Sequence, residues 1–366
     1  MTRMTLKGDR VTLPDSFDAI YEEYCDRGWT DGLPIVPPTE ERVRAMLRYT
    51  DREPGEVFSY MAPALWETTV ERIAVNCVMA GCKPEYFPVV LAALQAMEDK
   101  QFNLMGMQAT THPCGAMLLV NGPIAKELNI NAGSGAMGPC WRANATIGRA
   151  LRLVMLNCGG ATPGPVDKAT QGQPGKFSYC FAENEDESPW EPYHVEKGYP
   201  RDVSTVTVGA MENPHNINDH VSSHAEGVLI TACDSIPTMG SNQTYTLTSD
   251  FFVAFGPEHA AIVANGGYTK KDVQQYIYEN ARIEAYKRRQ GGMWSMLPMP
   301  KWFSTVDDHA LLPIVYTPDD IHVIVVGGAG KHSCWMSSVG ISRTVTMPIA
   351  RKDGTPLKSV QELVRP

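Results

Sequence analysis

In DSFDAIYEEYCDRGW, residues 15–29, the apolar positions Phe17, Ile20, Tyr21 and Tyr24 fall at helical spacing behind an Asp/Ser start signal, which predicts an amphipathic helix. The Pro-rich run DGLPIVPPT then reads as extended and feeds a second helix beginning at Thr39. Residues 65–80, LWETTVERIAVNCVMA, predict a third helix stopped by Gly81, and KPEYFPVVLAALQAMED predicts a fourth with Pro84 near its first turn. Beyond Asp99 the pattern changes. Short apolar runs, AMLLVNGP, FFVAFGP and IHVIVV, alternate with loops rich in Gly, Thr and Asn, as strands feeding functional loops do. The stretch ENPHNINDHVSSHAEG is too polar for a strand and too Asn-rich for a strong helix, so it is expected to be a loop.

This mixture predicts an α/β fold. Displacing the sequence by 134 (239 − 105) pairs Met105-Gly106 with Met239-Gly240, Thr110 with Thr244, Gly122-Pro123 with Gly256-Pro257, Asn131 with Asn265 and Gly133 with Gly267. With small slips, ANATI from Ala143 resembles ENARI from Glu279, each on an expected helix ending in Gly-Gly, and GKFSYCF from Gly175 echoes GKHSCWM from Gly330. The expectation is two pseudo-repeated α/β lobes facing a cleft, with an N-terminal arm. The division would be arm and helices over 1–64, a first lobe over 65–202, a second over 203–350 and a tail over 351–366. Residues 293–320, rich in Met, Trp and Pro, have no counterpart in the first lobe and are either a lid on the cleft or an ordered surface excursion.

Composition narrows the class. With 366 residues, 43% hydrophobic and 20% charged, the chain is neither disordered nor a coiled coil. A net charge of −9 without a dense Lys/Arg stripe argues against nucleic acid as a partner. No apolar run approaches the roughly 18 residues of a membrane span, and MTRMTLKGDR lacks the apolar core of a signal peptide, so a cytoplasmic location is expected. Nine cysteines without CxxC spacing read as free thiols in a reducing compartment.

The chemistry-bearing residues cluster in a few segments. GGAGKHSCWMSS, from Gly327, follows a strand and has the form of a glycine loop ending in lysine. An NTP-binding loop would need Gly at Val325 and a hydroxyl at His332, so the narrower expectation is a carboxylate or other small anion held by the amides of Gly328 to Gly330 and by Lys331. His112 and Cys114, and His332 and Cys334, are two His-x-Cys pairs. If they met, they would make a four-ligand site for zinc, iron, copper or nickel; if not, they are packing cysteines beside hydrogen-bonded histidines. His215, Asp219 and His220, with His224 nearby, suit a metal shell or a general base oriented by Asp219, although Asn and Asp also build turns. Cys82, beside Lys83 and before a helix start, is either a thiolate-prone cysteine or a buried one. Arg142, with Asn144 beside it, could grip a carboxylate or cap neighbouring structure, and Glu183 is a modest acid/base candidate.

Together GWTDGLPIVPPT, VMAGCKPEYFPVVLAAL, GPCWRANATIGRALRL, ENPHNINDH and GGAGKHS resemble a poorly characterised bacterial family, over nearly the whole chain from about Asp15 to Ile349. Members of that family are often encoded beside, or fused to, small UGSC-type (seleno)protein domains with a U/C-Gly-Ser-Cys motif. The resemblance therefore implies thiol or selenol redox chemistry and a redox partner. The family pattern matches Cys82, His112, His215, Asp219, His220, Lys331 and His332, and it lacks cysteine at positions 114, 140 and 334 of this chain.

The resulting expectation is a soluble enzyme, a homo-oligomer, acting on a small anionic molecule at a His/Cys-lined cleft between lobes. His112, His215, Asp219, His220, His332 and Cys82 would be catalytic; Arg142, Asn144, Gly328, Gly330 and Lys331 would bind substrate. The alternatives are a metal-dependent hydrolase or hydratase, and a non-catalytic ligand-binding or scaffold subunit for the redox partner.

Overall fold

The computed structural model describes residues 5–290, 301 and 305–365. Ser16 caps α1 (Phe17–Asp26) and Thr39 caps α2 (Glu40–Leu47), each hydroxyl accepting an amide of the first turn. The third helix starts later than its periodicity suggests. Trp66, Thr68 and Thr69 favour a strand, and β1 (Val57–Met61) pairs with β2 (Trp66–Thr69), so α3 (Val70–Ala80) begins only behind Thr69. Gly81, at φ 90°, ends α3 in the left-handed conformation, and a 3-10 turn starting at Pro84 leads into α4 (Phe87–Met97).

The chain continues through α5 (Leu104–Ala109), β3 (Gly115–Asn121), α6 (Pro123–Glu127), α7 (Arg142–Asn157), β4 (Cys180–Ala182), α8 (Tyr193–Glu196) and β5 (Thr205–Met211). Then come β6 (His215–Asn218), α9 (Ala225–Ser235), α10 (Asn242–Thr246), β7 (Phe251–Phe255), α11 (Pro257–Asn265) and α12 (Lys270–Asn280). The last elements are β8 (Arg282–Glu284), α13 (Ala285–Gln290), β9 (Leu311–Pro313), β10 (Ile321–Val325), β11 (His332–Met336) and β12 (Val345–Pro348). Two expectations change here. His215–Asn218 is a strand, because β11 supplies its pairing while only Ile217 is buried. The long helix expected through ENARI breaks into α12, β8 and α13, because β8 pairs with β9. Within the expected lid, 293–300 and 302–304 lie outside the described residues.

The larger strands form two four-stranded sheets, β12-β5-β3-β4 and β6-β11-β7-β10. Read in that direction, both have the same pairing sense: antiparallel, antiparallel, parallel. The Gly-Pro pairs after β3 and β7 open α6 and α11 at equivalent places, where the 134-residue offset holds. The GKFSYCF and GKHSCWM echo matches β4, an edge strand, with β11, an interior one, so those segments are not equivalent. Each half also sends its last strand to the other sheet: β6 follows β5 yet pairs with β11, and β12 follows β11 yet pairs with β5. The two links meet at a bridge between Met211 and Ser338. A division at 202/203 therefore does not separate the sheets, since β5 and β12 both belong with β3 and β4.

Helices cover both outer faces, with α4 and α7 on the first sheet, α3 packed on α7, and α9, α11 and α12 on the second. Strand alternation sorts the core. Leu118 and Val120 face the helices, whereas Met117 and Leu119 face the second sheet and cluster with Phe181, Met211, Phe252, Ala254, Ile324 and Met336. Among the described residues the space between the sheets is thus a packed apolar layer where a cleft was expected. Polar groups collect at its rim. No helix of the described residues is long and apolar enough to cross a membrane.

Candidate functional site

Pairing of β6 with β11 builds the rim. Its register sets His332 opposite Asn218 and Cys334 opposite Asn216. Just past β6 the Asp219 carboxylate ties the chain into a turn, accepting the amides of Val221 (3.1 Å) and Ser222 (2.9 Å) and the Thr231 hydroxyl of α9 (3.2 Å). Its backbone carbonyl faces Nε2 of the buried His259 at 3.0 Å; a carbonyl only accepts, so that nitrogen carries the proton, and His259 Nδ1 meets the Ser333 hydroxyl at 2.8 Å. This lock presents His220. Its Nε2 lies 3.1 Å from Nε2 of His332, with the rings near perpendicular at 81° and both side chains exposed.

His332 Nδ1 lies 2.9 Å from Asn216 Oδ1, so it carries a proton, and in the neutral ring Nε2 is the acceptor that faces His220. Lys331 Nζ donates to the carbonyls of Ser222 (3.1 Å) and His220 (3.4 Å). Asp219 plays a different part from the one expected. Burial would raise its pKa, but the hydroxyl and amide of Ser222, the Val221 amide and the Thr231 hydroxyl outweigh it and hold the carboxyl at about 2. Its carboxylate shapes the turn, and its carbonyl, rather than its carboxylate, touches an imidazole.

In the glycine loop Gly327 (φ 109°) and Gly330 (φ 134°) occupy the left-handed region that favours glycine. The Gly330 amide already holds an anion, donating at 2.7 Å to the Glu258 carboxylate in the first turn of α11. A Cβ on Gly328 would come within 2.9 Å of Ser134, so this loop is pressed against the segment after α6. Asn144 clamps that segment, accepting the Asn131 amide at 2.8 Å and donating to the carbonyls of Asn131 and Ala136 at 3.0 Å each. Arg142 donates twice to the Gly81 carbonyl, at 3.0 and 2.9 Å, closing the end of α3. Both residues expected to grip substrate therefore spend their polar groups on backbone.

A second polar group lies where the inter-sheet links cross. His112 Nε2 is 2.8 Å from Glu212 Oε1, the same oxygen accepts from the Ser337 hydroxyl at 3.1 Å, and Ser241 donates to Ser337 at 2.5 Å. His112 Nδ1 is buried without a partner. Glu212 and Ser337 were not singled out from the sequence, and the one signal available was a carboxylate placed just past an apolar strand. Glu258 was likewise not singled out.

The two His-x-Cys pairs do not meet. Cys114 packs with Leu118 and Val120 on the helix side of the first sheet, while Cys334 packs with Met336 in the layer between the sheets. The first sheet stands between them. Burial pushes both thiols up to about 12. Among the described residues, no group of three or more His, Cys, Asp or Glu side chains is placed to hold a metal ion, so the expected four-ligand set is not formed. Cys82 is buried in the helical layer and donates its thiol to the Thr146 carbonyl at 3.2 Å. His215 lies against Trp335, ring centres 6.4 Å apart, on the helix face of the second sheet. Of the expected residues, the structure unites His220, His332 and Lys331 with Asn216, beside the glycine loop.

No family model, curated protein or solved structure matches the chain.

Proposed function

We propose that this chain is a cytoplasmic enzyme acting on a small anionic molecule at the rim formed by His220, His332, Lys331 and the glycine loop, in thiol- or selenol-linked redox or lyase chemistry. One observation carries the reading: two exposed imidazoles, 112 positions apart in sequence, bring their Nε2 atoms to 3.1 Å beside a lysine ammonium. Two protonated imidazoles at that distance repel, and apolar packing does not require exposed rings to approach end to end. Such a pair is suited by its geometry to holding a reacting atom or its proton. Lys331 supplies the charge for an anionic substrate. Electrons would come from a thiol or selenol of the substrate or of a UGSC-type partner, because burial keeps Cys114 and Cys334 protonated. A metal-dependent hydrolase or hydratase is the second reading, favoured by the convergence of the same two rings.

The test is to incubate the protein, with and without added thiol, in a bacterial small-molecule extract and follow anionic components by mass spectrometry. The expected result is consumption that stops in both H220A and H332A while circular dichroism shows an unchanged fold. Equal consumption by either variant, or sequestration of an anion without product, would refute the enzyme reading; the latter is the behaviour of a binding subunit.

A further inference from the structure

We infer that His220 and His332 are two ligands of one divalent transition-metal ion, bound through both Nε2 atoms. The inference rests on the reading above that this pair is the reacting centre, and it names what sits there. The ring centroids are 4.9 Å apart, the nitrogens 3.1 Å, and the ring planes cross at 81°. Two imidazole nitrogens that each lie about 2.0–2.1 Å from one zinc ion, at an angle near the tetrahedral one, are roughly 3.1–3.4 Å apart, and these two are 3.1 Å apart. Without a metal the two nitrogens share one proton in a hydrogen bond.

The surroundings agree. His332 gives its Nδ1 proton to Asn216 at 2.9 Å, the outer-partner arrangement that fixes the tautomer and orientation of a metal-bound imidazole. His220 follows the Asp219 turn, which His259 and Thr231 hold from behind. The Glu258 carboxylate meets the Gly330 amide of the adjoining loop at 2.7 Å. Among the described residues the chain supplies these two ligands and no third His, Cys, Asp or Glu, so the remaining positions fall to water and to the substrate, which leaves more of the coordination open than the three-ligand set of catalytic zinc sites does. With Lys331 alongside, the arrangement suits a molecule that gives one donor atom to the metal and a second, negative group to the ammonium. A thiolate is the softest such donor.

The experiment uses the full chain stripped with a chelator and titrated with Co2+ and Zn2+, read by calorimetry and by the visible absorption of cobalt. We expect one equivalent per chain, an affinity reduced at least about tenfold in H220A and in H332A, a smaller loss in N216A, and no change in H215A, whose ring lies on the other face of β6. Absence of binding, or equal binding by H220A and H332A, would overturn the inference. Proton NMR of the histidines across pH separates the two ideas. A metal-free pair that shares a proton, with anion consumption still lost in H220A, removes the metal and leaves the proposed function; a bound metal with consumption unaffected does the reverse.

Discussion

Replacing Asp219 with asparagine tests whether the turn that presents His220 is held by charge. In the native chain the carboxyl sits at about 2 against an ordinary 3.8, because four hydrogen-bond contributions from Val221, Ser222 and Thr231 outweigh its burial. That gap corresponds to at most about 2.5 kcal/mol. The neighbouring His220 and Val221 are open to solvent, so screening reduces the figure to about 1–2 kcal/mol. The folded-state value is depressed, so the stabilisation is fully present above about pH 4 and is lost as pH falls through about 2. D219N keeps the shape, loses the charge and turns one amide group toward the donors. It should be less stable than the native chain by about 1–2 kcal/mol at pH 7, and the two should converge near pH 2. Urea unfolding at a series of pH values measures this, with the comparison to D219N removing the contribution of every other carboxylate. A variant as stable as the native chain at neutral pH would refute the argument. A gap that stays constant down to pH 2 would show that shape, rather than charge, holds the turn.

Three further outcomes follow from buried or exposed groups. Asn144→Ala leaves the Asn131 amide and the Ala136 carbonyl without partners in a buried position, the Asn131 carbonyl keeping the Ala182 amide, and should cost about 2–4 kcal/mol in chemical denaturation; a loss near zero would mean the loop is held elsewhere. Lys270→Met removes the cation 3.6 Å from Glu183, a carboxylate whose pKa burial raises, and should cost about 3–5 kcal/mol, with much of that recovered when E183Q is added; strict additivity of the two changes would contradict the pairing. Iodoacetamide at mildly alkaline pH should label the exposed Cys140 first, while Cys114, Cys158, Cys180 and Cys233, buried and pushed up in pKa, react only after unfolding; peptide mass spectrometry showing Cys114 labelled as fast as Cys140 would reverse that order.

Local signals carried much of the fold. Ser16, Thr39 and Gly81 act where capping chemistry places them, and the apolar runs at Met117–Val120, 251–255 and 321–325 are strands because a continuous apolar run suits a strand buried on both faces. What was illegible depends on distant partners. β6 has one buried side chain and three exposed polar ones, and it becomes a strand only because β11, more than a hundred residues later, offers an edge. The site shares this origin. His220, His332 and Lys331 were recognisable as reactive residue types, yet their meeting depends on the β6–β11 register and on the His259 lock, neither of which leaves a local trace. Asn144 and Arg142 looked like ligands for the opposite reason: amide and guanidinium groups that satisfy backbone are indistinguishable in sequence from those that await a substrate.

The exchange of last strands between the sheets sets the order of events during synthesis. When the ribosome has released β3, β4 and β5, the first sheet still has an open edge, and its cover, β12, begins only 134 residues after β5 ends (345 − 211). Until β12 emerges, β5 therefore presents unpaired amides and carbonyls along Thr205–Met211, a stretch of seven buried residues well suited to pairing with a stranger. Closure waits for Val345–Pro348, so a chain arrested or clipped before that point is left with a sticky, half-finished sheet rather than an independent first half. Premature termination near the C-terminus should accordingly appear in cells as insolubility and chaperone capture, even though the reactive rim is already encoded by then.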